Sequence, residues 1–195
     1  MAVRDTGTEQ LIKDTAKRIF FAEGKFNATT QDIADAAGVA RTVINYYFRS
    51  KDALFKLVFK EAMDDMKVRL DEVLLSELAF KKKIIRFIDV FLMELSEYPY
   101  KEAFMISEIN THGFVMPDKE PSLALKHFFK QIQEAIDRGE VKKMLPLNFM
   151  LNLFSLLAYP LLTRPLFKQM LEITDIKFEQ LMHERKKIIV EMLFV

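Results

Sequence analysis

The stretch Thr29–Phe59, TTQDIADAAGVARTVINYYFRSKDALFKLVF, constrains this chain more than any other. It reads as a helix, a tight turn, a second helix, then a third. Ile33, Ala34 and Ala37 sit at helical spacing and share an inward face. Gly38 follows as a stop, because glycine takes the left-handed backbone conformation at no steric cost. Val39 plugs the turn, and Ile44, Tyr47 and Phe48 continue the inward face of the second helix. Two helices joined by about three residues with glycine in the turn is the helix-turn-helix pattern, whose second helix is placed to enter a major groove.

The rest also reads as helix, with five glycines and no alternating Val/Ile/Thr runs. A first helix starts near Thr6 or Thr8 and stops at Gly24. A long helix capped by Ser50 runs to about Ser76, continuous with the motif, so no flexible linker separates head from body. Lys81–Ser96 is apolar almost all round, as a helix buried on most sides is. Tyr100–Ile109 forms a shorter helix, and Asn110–Pro121 a loop. A further helix runs from Pro121 or Ser122 to about Arg138. Leu147–Leu162 is nearly all apolar, with Pro160 expected to kink its last turn. Asp175–Phe194 closes the chain as an amphipathic helix. These last two helices carry more apolar surface than their own subunit needs. They are expected to pack on a second copy as a four-helix bundle, through Leu151, Phe154, Phe178, Leu181, Met182, Ile188, Ile189 and Met192.

At 195 residues the chain can bury a proper core. It has no cysteine, which excludes a disulfide framework and a cysteine nucleophile and suits a reducing compartment. The N-terminus lacks the apolar run of a signal peptide, and no apolar stretch is long enough to span a bilayer. A cytoplasmic protein without a membrane partner is expected. Residues 1–60 hold ten Lys/Arg against seven Asp/Glu, a balance of +3, and the remainder holds 19 against 21, a balance of −2. A weakly basic head on a weakly acidic body suits phosphate contact through a few placed cations. Catalysis is not expected. His112, His127 and His183 lack metal-ligand spacing, no glycine-rich phosphate loop or nucleophile elbow is present, and Glu94 and Glu97 read as surface charges. Neither metal nor cofactor is called for.

TTQDIADAAGV at 29–39, YYF at 46–48, SKDALF at 50–55 and AEGKF at 22–26 together resemble the DNA-binding domain of the TetR (tetracycline-repressor-type) family of bacterial transcriptional regulators. The likeness covers roughly residues 8–60. It implies an all-α fold: an N-terminal three-helix helix-turn-helix head over 1–54, and a helical effector-binding and dimerisation body over 55–195. It also implies a homodimer joined through the last two long helices, acting on double-stranded DNA.

Physical chemistry asks such a head for phosphate anchors and for side chains that reach base edges. Thr29, Thr30 and Lys51 sit at helix N-termini, where N–H groups and the positive dipole end favour anions. Tyr47 offers a phenolic O–H while its ring packs inward. The resemblance assigns backbone contact to Thr30, Tyr47 and Lys51. With Ile44, Tyr47 and Phe48 inward, the outward residues are Arg41, Thr42, Val43, Asn45 and Tyr46. Arg41 suits guanine or phosphate, Asn45 adenine, and Thr42 or Val43 a thymine methyl. Three positions depart from the family's usual residues: Ala40 stands where a capping Ser or Thr is common, Thr42 where Gly is, and Asn45 where Tyr is. In the body, Phe87, Phe91, Phe104, Met105 and Phe128 are candidates for an adaptable apolar pocket, with Tyr100, Glu108, Asn110 and His112 as polar markers. The resemblance implies a cavity for a small apolar effector among the helices between residues 51 and 138. The expected function is a ligand-responsive repressor. The alternative is a helical ligand-binding or interaction module that has lost operator recognition.

Overall fold

The computed structural model describes residues 6–112 and 122–195. All their regular elements are helices, and one isolated bridge pairs Val141 with Phe194. Helix α1 (Thr6–Lys17) buries Ile12 and Ala16 and then widens into a π turn over Arg18–Ala22. Three consecutive apolar residues, Ile19, Phe20 and Phe21, all face inward there, which the 100° step of an α-helix does not readily allow. Gly24, at φ 70°, ends the turn.

Helix α2 (Thr30–Ala37) opens with a reciprocal capping box: the Thr29 hydroxyl accepts from the Asp32 amide, and the Asp32 carboxylate accepts from the Thr29 amide. It closes at Gly38, φ 66°, whose N–H reaches the Ala34 and Asp35 carbonyls. Helix α3 (Arg41–Phe48) starts at Ala40 with no side-chain cap, as expected; such a loss costs about 1 kcal/mol. Helix α4 (Lys51–Leu75) is capped by Ser50, which accepts from the Ala53 amide at 3.1 Å. Its 25 residues make a rod of about 37 Å. At its far end the fully buried Lys83 donates to the Leu74 carbonyl at 2.7 Å and to Gln131 Oε1 at 2.8 Å. Burial pushes that ammonium below the usual lysine range.

The body adds α5 (Phe80–Glu97), α6 (Lys101–His112), α7 (Leu123–Asp137), α8 (Pro146–Leu162), α9 (Arg164–Leu171) and α10 (Asp175–Leu193). Helix α6 runs three residues beyond the expected end at Ile109, so the expected loop is shorter at its start. Its remainder, 113–121, lies outside the described residues. The short α9 was not anticipated, although Pro165 in its first turn is a helix-start signal. Among the described residues no single helix is long and apolar enough to cross a membrane. Only α8 and α9 taken together approach it, and they are bent by 62°.

Two cores form. The body core gathers Phe80, Phe87, Phe91, Phe128, Phe149, Phe178, Ile189 and Phe194. The head core runs from Ile12 through Ile33 and Ile44, then along α4 as far as Ala62. It also takes one residue from α6: the Phe104 ring lies 4.6 to 5.7 Å from those of Phe21, Phe26, Phe55 and Phe59. The same seam is closed by the Tyr100 amide, which donates to the Phe21 carbonyl at 2.9 Å. A Cβ on Gly24 would stand 2.9 Å from the Tyr100 ring, so only glycine fits there.

Beside the seam, Glu94 is 5% and Lys101 4% exposed, joined at 2.9 Å, and Arg69 of α4 pairs with the same carboxylate. The expectation that Glu94 is a surface charge is therefore corrected. Cations arriving from α4 and α6 make its burial tolerable. Glu97 is exposed, as expected. The neighbouring Glu102 is also buried, and desolvation pushes its carboxyl above the usual range despite the pull of Lys101.

Candidate nucleic-acid interface

Helix α3 is fixed from behind and open in front. Ile44 is fully buried and Phe48 is 6% exposed, so the helix cannot roll. Arg41, Thr42, Asn45 and Tyr46 are exposed, and Val43 is half-buried. Tyr46 is 70% exposed, a large aromatic surface held out by a rigid scaffold. It meets Tyr47 edge-on at 5.1 Å, and the half-buried Tyr47 packs on Phe48 at 6.1 Å. A shallow groove beside this helix is lined by Thr8 of α1, Val39, Ala40, Thr42, Val43, Tyr46 and Tyr47.

The anchor candidates separate into two roles. The Thr29 hydroxyl is committed to the capping box, whereas the half-buried Thr30 lies outside it. Hydrogen bonds from the Thr29 amide and hydroxyl hold the Asp32 carboxyl below the usual range, and the Lys51 charge adds to this. Lys51 is half-buried, with Nζ 3.5 Å from the Phe26 carbonyl. The start of α4 is thus tied to the loop before α2, and the Lys51 charge is felt at Asp32 in the first turn of α2.

Arg49 was missed. It is exposed at the end of α3 in a positive-φ conformation, φ 63° and ψ −38°, its N–H donating to the Asn45 carbonyl at 3.0 Å. A non-glycine residue there is strained, and such strain concentrates at functional positions. Its place between the outward helix and the Ser50 cap was the available signal.

Residues 12–58 match the family described as bacterial regulatory proteins, tetR family. The head of the chain, residues 12–58, therefore has the sequence of a TetR-family DNA-binding domain. The HTH-type transcriptional regulator YfiR of Bacillus subtilis (strain 168) is 24% identical over 156 residues, which are 73% of this chain and 74% of that protein. Among solved structures, a TetR family transcription regulator from Marinobacter aquaeolei VT8 shares the fold at a TM-score of 0.60 and 14% identity, covering 100% of this chain and 99% of its own. Another, described as the molecular basis for control of antibiotic production by bacterial hormones, shares it at 0.62 and 17%, covering 98% and 100%. The HTH head, the helical body and a role in transcription regulation follow from these likenesses.

The described body candidates are divided between two regions. Phe87, Phe91 and Phe128 lie together in the body core, Phe87 stacked on Phe128 at 6.5 Å. Phe104 and Tyr100 belong to the head seam, and Met105 is half-buried beside them on α6. Asn110 is exposed, and the side chains of Glu108 and His112 lie outside the described ones. Among the described candidates, those of α5 and α7 therefore lie apart from Phe104 and Tyr100, because Phe104 of α6 turns to the head.

The helices proposed for pairing divide similarly. Phe178, Met182 and Ile189 turn into their own core. They have no free surface for a partner, since α10 needs one apolar face to cover α5. Leu181 is half-buried, whereas Leu151, Phe154, Ile188 and Met192 are exposed, with Leu147 and Tyr159 extending the row along α8. His127 and His183 are exposed, and no group of metal-ligating side chains occurs among the described residues.

Proposed function

We propose that the chain is a homodimeric, ligand-responsive, sequence-specific transcriptional repressor of the cytoplasm. One observation carries the reading: α3 is locked inward by Ile44 and Phe48 while presenting Arg41, Thr42, Asn45 and Tyr46. Arg41 and Asn45 bring hydrogen-bonding chemistry for guanine and adenine edges, and Thr30, Tyr47, Arg49 and Lys51 fix the register on phosphates.

The exposed row on α8 and α10 supports a symmetric dimer, since an isologous contact buries the same patch on both copies. Two heads then address major grooves about 34–36 Å apart on a near-palindromic operator. The effector acts by favouring a spacing of the heads that DNA does not accept. Helix α4, shared by both cores, is the lever. Ligand control in a fold relative described through bacterial hormones supports this part. Repressor is preferred to activator on family habit alone.

A second reading, a helical module that has lost operator recognition, is favoured by uncapped Ala40 and by Thr42 and Asn45 at exposed positions of α3. Selection from a random duplex pool at physiological salt separates the two. A palindrome bound with nanomolar affinity establishes the dimeric regulator. Weak binding indifferent to sequence establishes the module. In the first case Lys51→Ala lowers the slope of log affinity against log salt by about one, as loss of a phosphate contact requires.

A further inference from the structure

The outward side of α3 is itself divided. Opposite the buried Ile44 and Phe48, the helical step of about 100° puts Thr42 and Tyr46 on the crest. The same step puts Arg41 and Asn45 on one flank and Val43 and Tyr47 on the other. The second flank borders the shallow groove that also takes in Val39 and Thr8 of α1. Its apolar atoms are held in place. Val39, Val43 and Tyr47 each pack partly against the head core, and the Tyr46 ring stands edge-on to Tyr47 at 5.1 Å. Carbon groups fixed in this way lose little freedom when a partner covers them.

Charge and chemistry name the partner. Helix α3 contains no carboxylate. Arg41 opens it, Arg49 follows it and Lys51 opens α4, so the surface suits a polyanion and not an apolar peptide. Among the base edges of a major groove, methyl and aromatic carbons have one complement, the C5-methyl of thymine. Cytosine presents an N4–H donor instead, and the residues lining the groove hold no carboxylate to accept it.

We propose that α3 reads its half-site by two chemistries: hydrogen bonds from the Arg41–Asn45 flank, and thymine methyls received by the groove of Val39, Val43 and Tyr46. This rests on the operator-binding reading above and adds that part of the specificity lies in a group that makes no hydrogen bond.

The site recovered from the random duplex pool supplies the probe for the full chain. In one half-site each thymine is replaced in turn by deoxyuridine, which keeps the base pair and the O4 acceptor and removes only the methyl. At one or two positions affinity falls about fourfold, the worth of one buried carbon. With a cytosine–guanine pair placed at such a position, 5-methylation of the cytosine strengthens binding by the same factor. Val43→Ala and, separately, Tyr46→Ser erase the difference between thymine and deoxyuridine at a sensitive position. Both leave the salt slope unchanged, as loss of a base contact and not a phosphate contact requires. Tyr46 is 70% exposed, so Tyr46→Ser also keeps the parent's denaturant midpoint and separates lost reading from lost folding.

A specific site without thymine, or one whose every thymine tolerates deoxyuridine, overturns the proposal and leaves the operator-binding reading standing. So does a thymine preference that survives in both variants. A pool that yields no specific site overturns the two together.

Discussion

In the head, helices are closed by residues beside them in sequence: Thr29 with Asp32 and Gly38 bound α2, and Ser50 opens α4. In the body, Ser122 and Thr174 cap α7 and α10, but α5, α8 and α9 begin at Ala79, Leu145 and Thr163 with no side-chain cap at all, as α3 does in the head. Those helices are held by what they pack against. Local chemistry therefore defines the head, and tertiary contact defines most of the body. The two meet at α6, whose Phe104 completes a core that the head does not fill alone.

That contrast makes Phe104 the most sensitive point. Phe104→Ala removes the ring shared by Phe21, Phe26, Phe55 and Phe59 and costs about 4 kcal/mol. Denaturant unfolding followed in head and body separately is expected to show the head melting first. Coincident melting with a loss under about 1 kcal/mol would mean that the head is self-sufficient. Next in size is Glu94→Gln, which strips the charge that Arg69 and Lys101 share and leaves Lys101, only 4% exposed, without its counter-charge. The expected loss is about 3 kcal/mol in the same measurement. A variant as stable as the parent would show that water reaches the seam.

What was legible in the sequence follows the same division. Gly38, Ser50 and Thr29 act on their own neighbours, so the head helices fall where their spacing puts them, with α3 beginning one residue after Ala40. Phe104 was unreadable for the opposite reason: a phenylalanine on α6 says that it is buried, not against what. Glu94 failed on the same ground, since its cations come from residues 69 and 101 on other helices. Of the residues named for pairing, Leu151 and Phe154 of α8 are exposed but Phe178, Met182 and Ile189 of α10 are buried, because hydropathy alone does not say which side of a helix its own subunit covers. Arg185 donates to the Leu156 carbonyl, which Pro160 leaves without its helical N–H, and it carried no local sign of this role because that carbonyl lies 29 residues earlier.

The remaining predictions act within the head alone. Asn45→Ala is expected to relax preference at one or two base pairs by about 1–3 kcal/mol, read by repeating the duplex selection. Uniform weakening across sequences would move Asn45 from base edge to backbone.

Arg49→Gly has the smallest expected effect on stability, and it has the opposite sign. Glycine adopts φ 63° without the steric cost of a Cβ, although the unfolded chain gains freedom as well. The balance favours the variant by about 0.5 kcal/mol, measured by denaturant midpoint. If Arg49 is retained for a phosphate, the same variant binds DNA more weakly and with a smaller salt slope. A protein that becomes slightly more stable as it loses affinity for every sequence is the signature of strain kept for function. A gain in stability with DNA binding unchanged would reduce Arg49 to an expensive turn residue, and would leave Lys51 and Thr30 as the anchors on that side of the head.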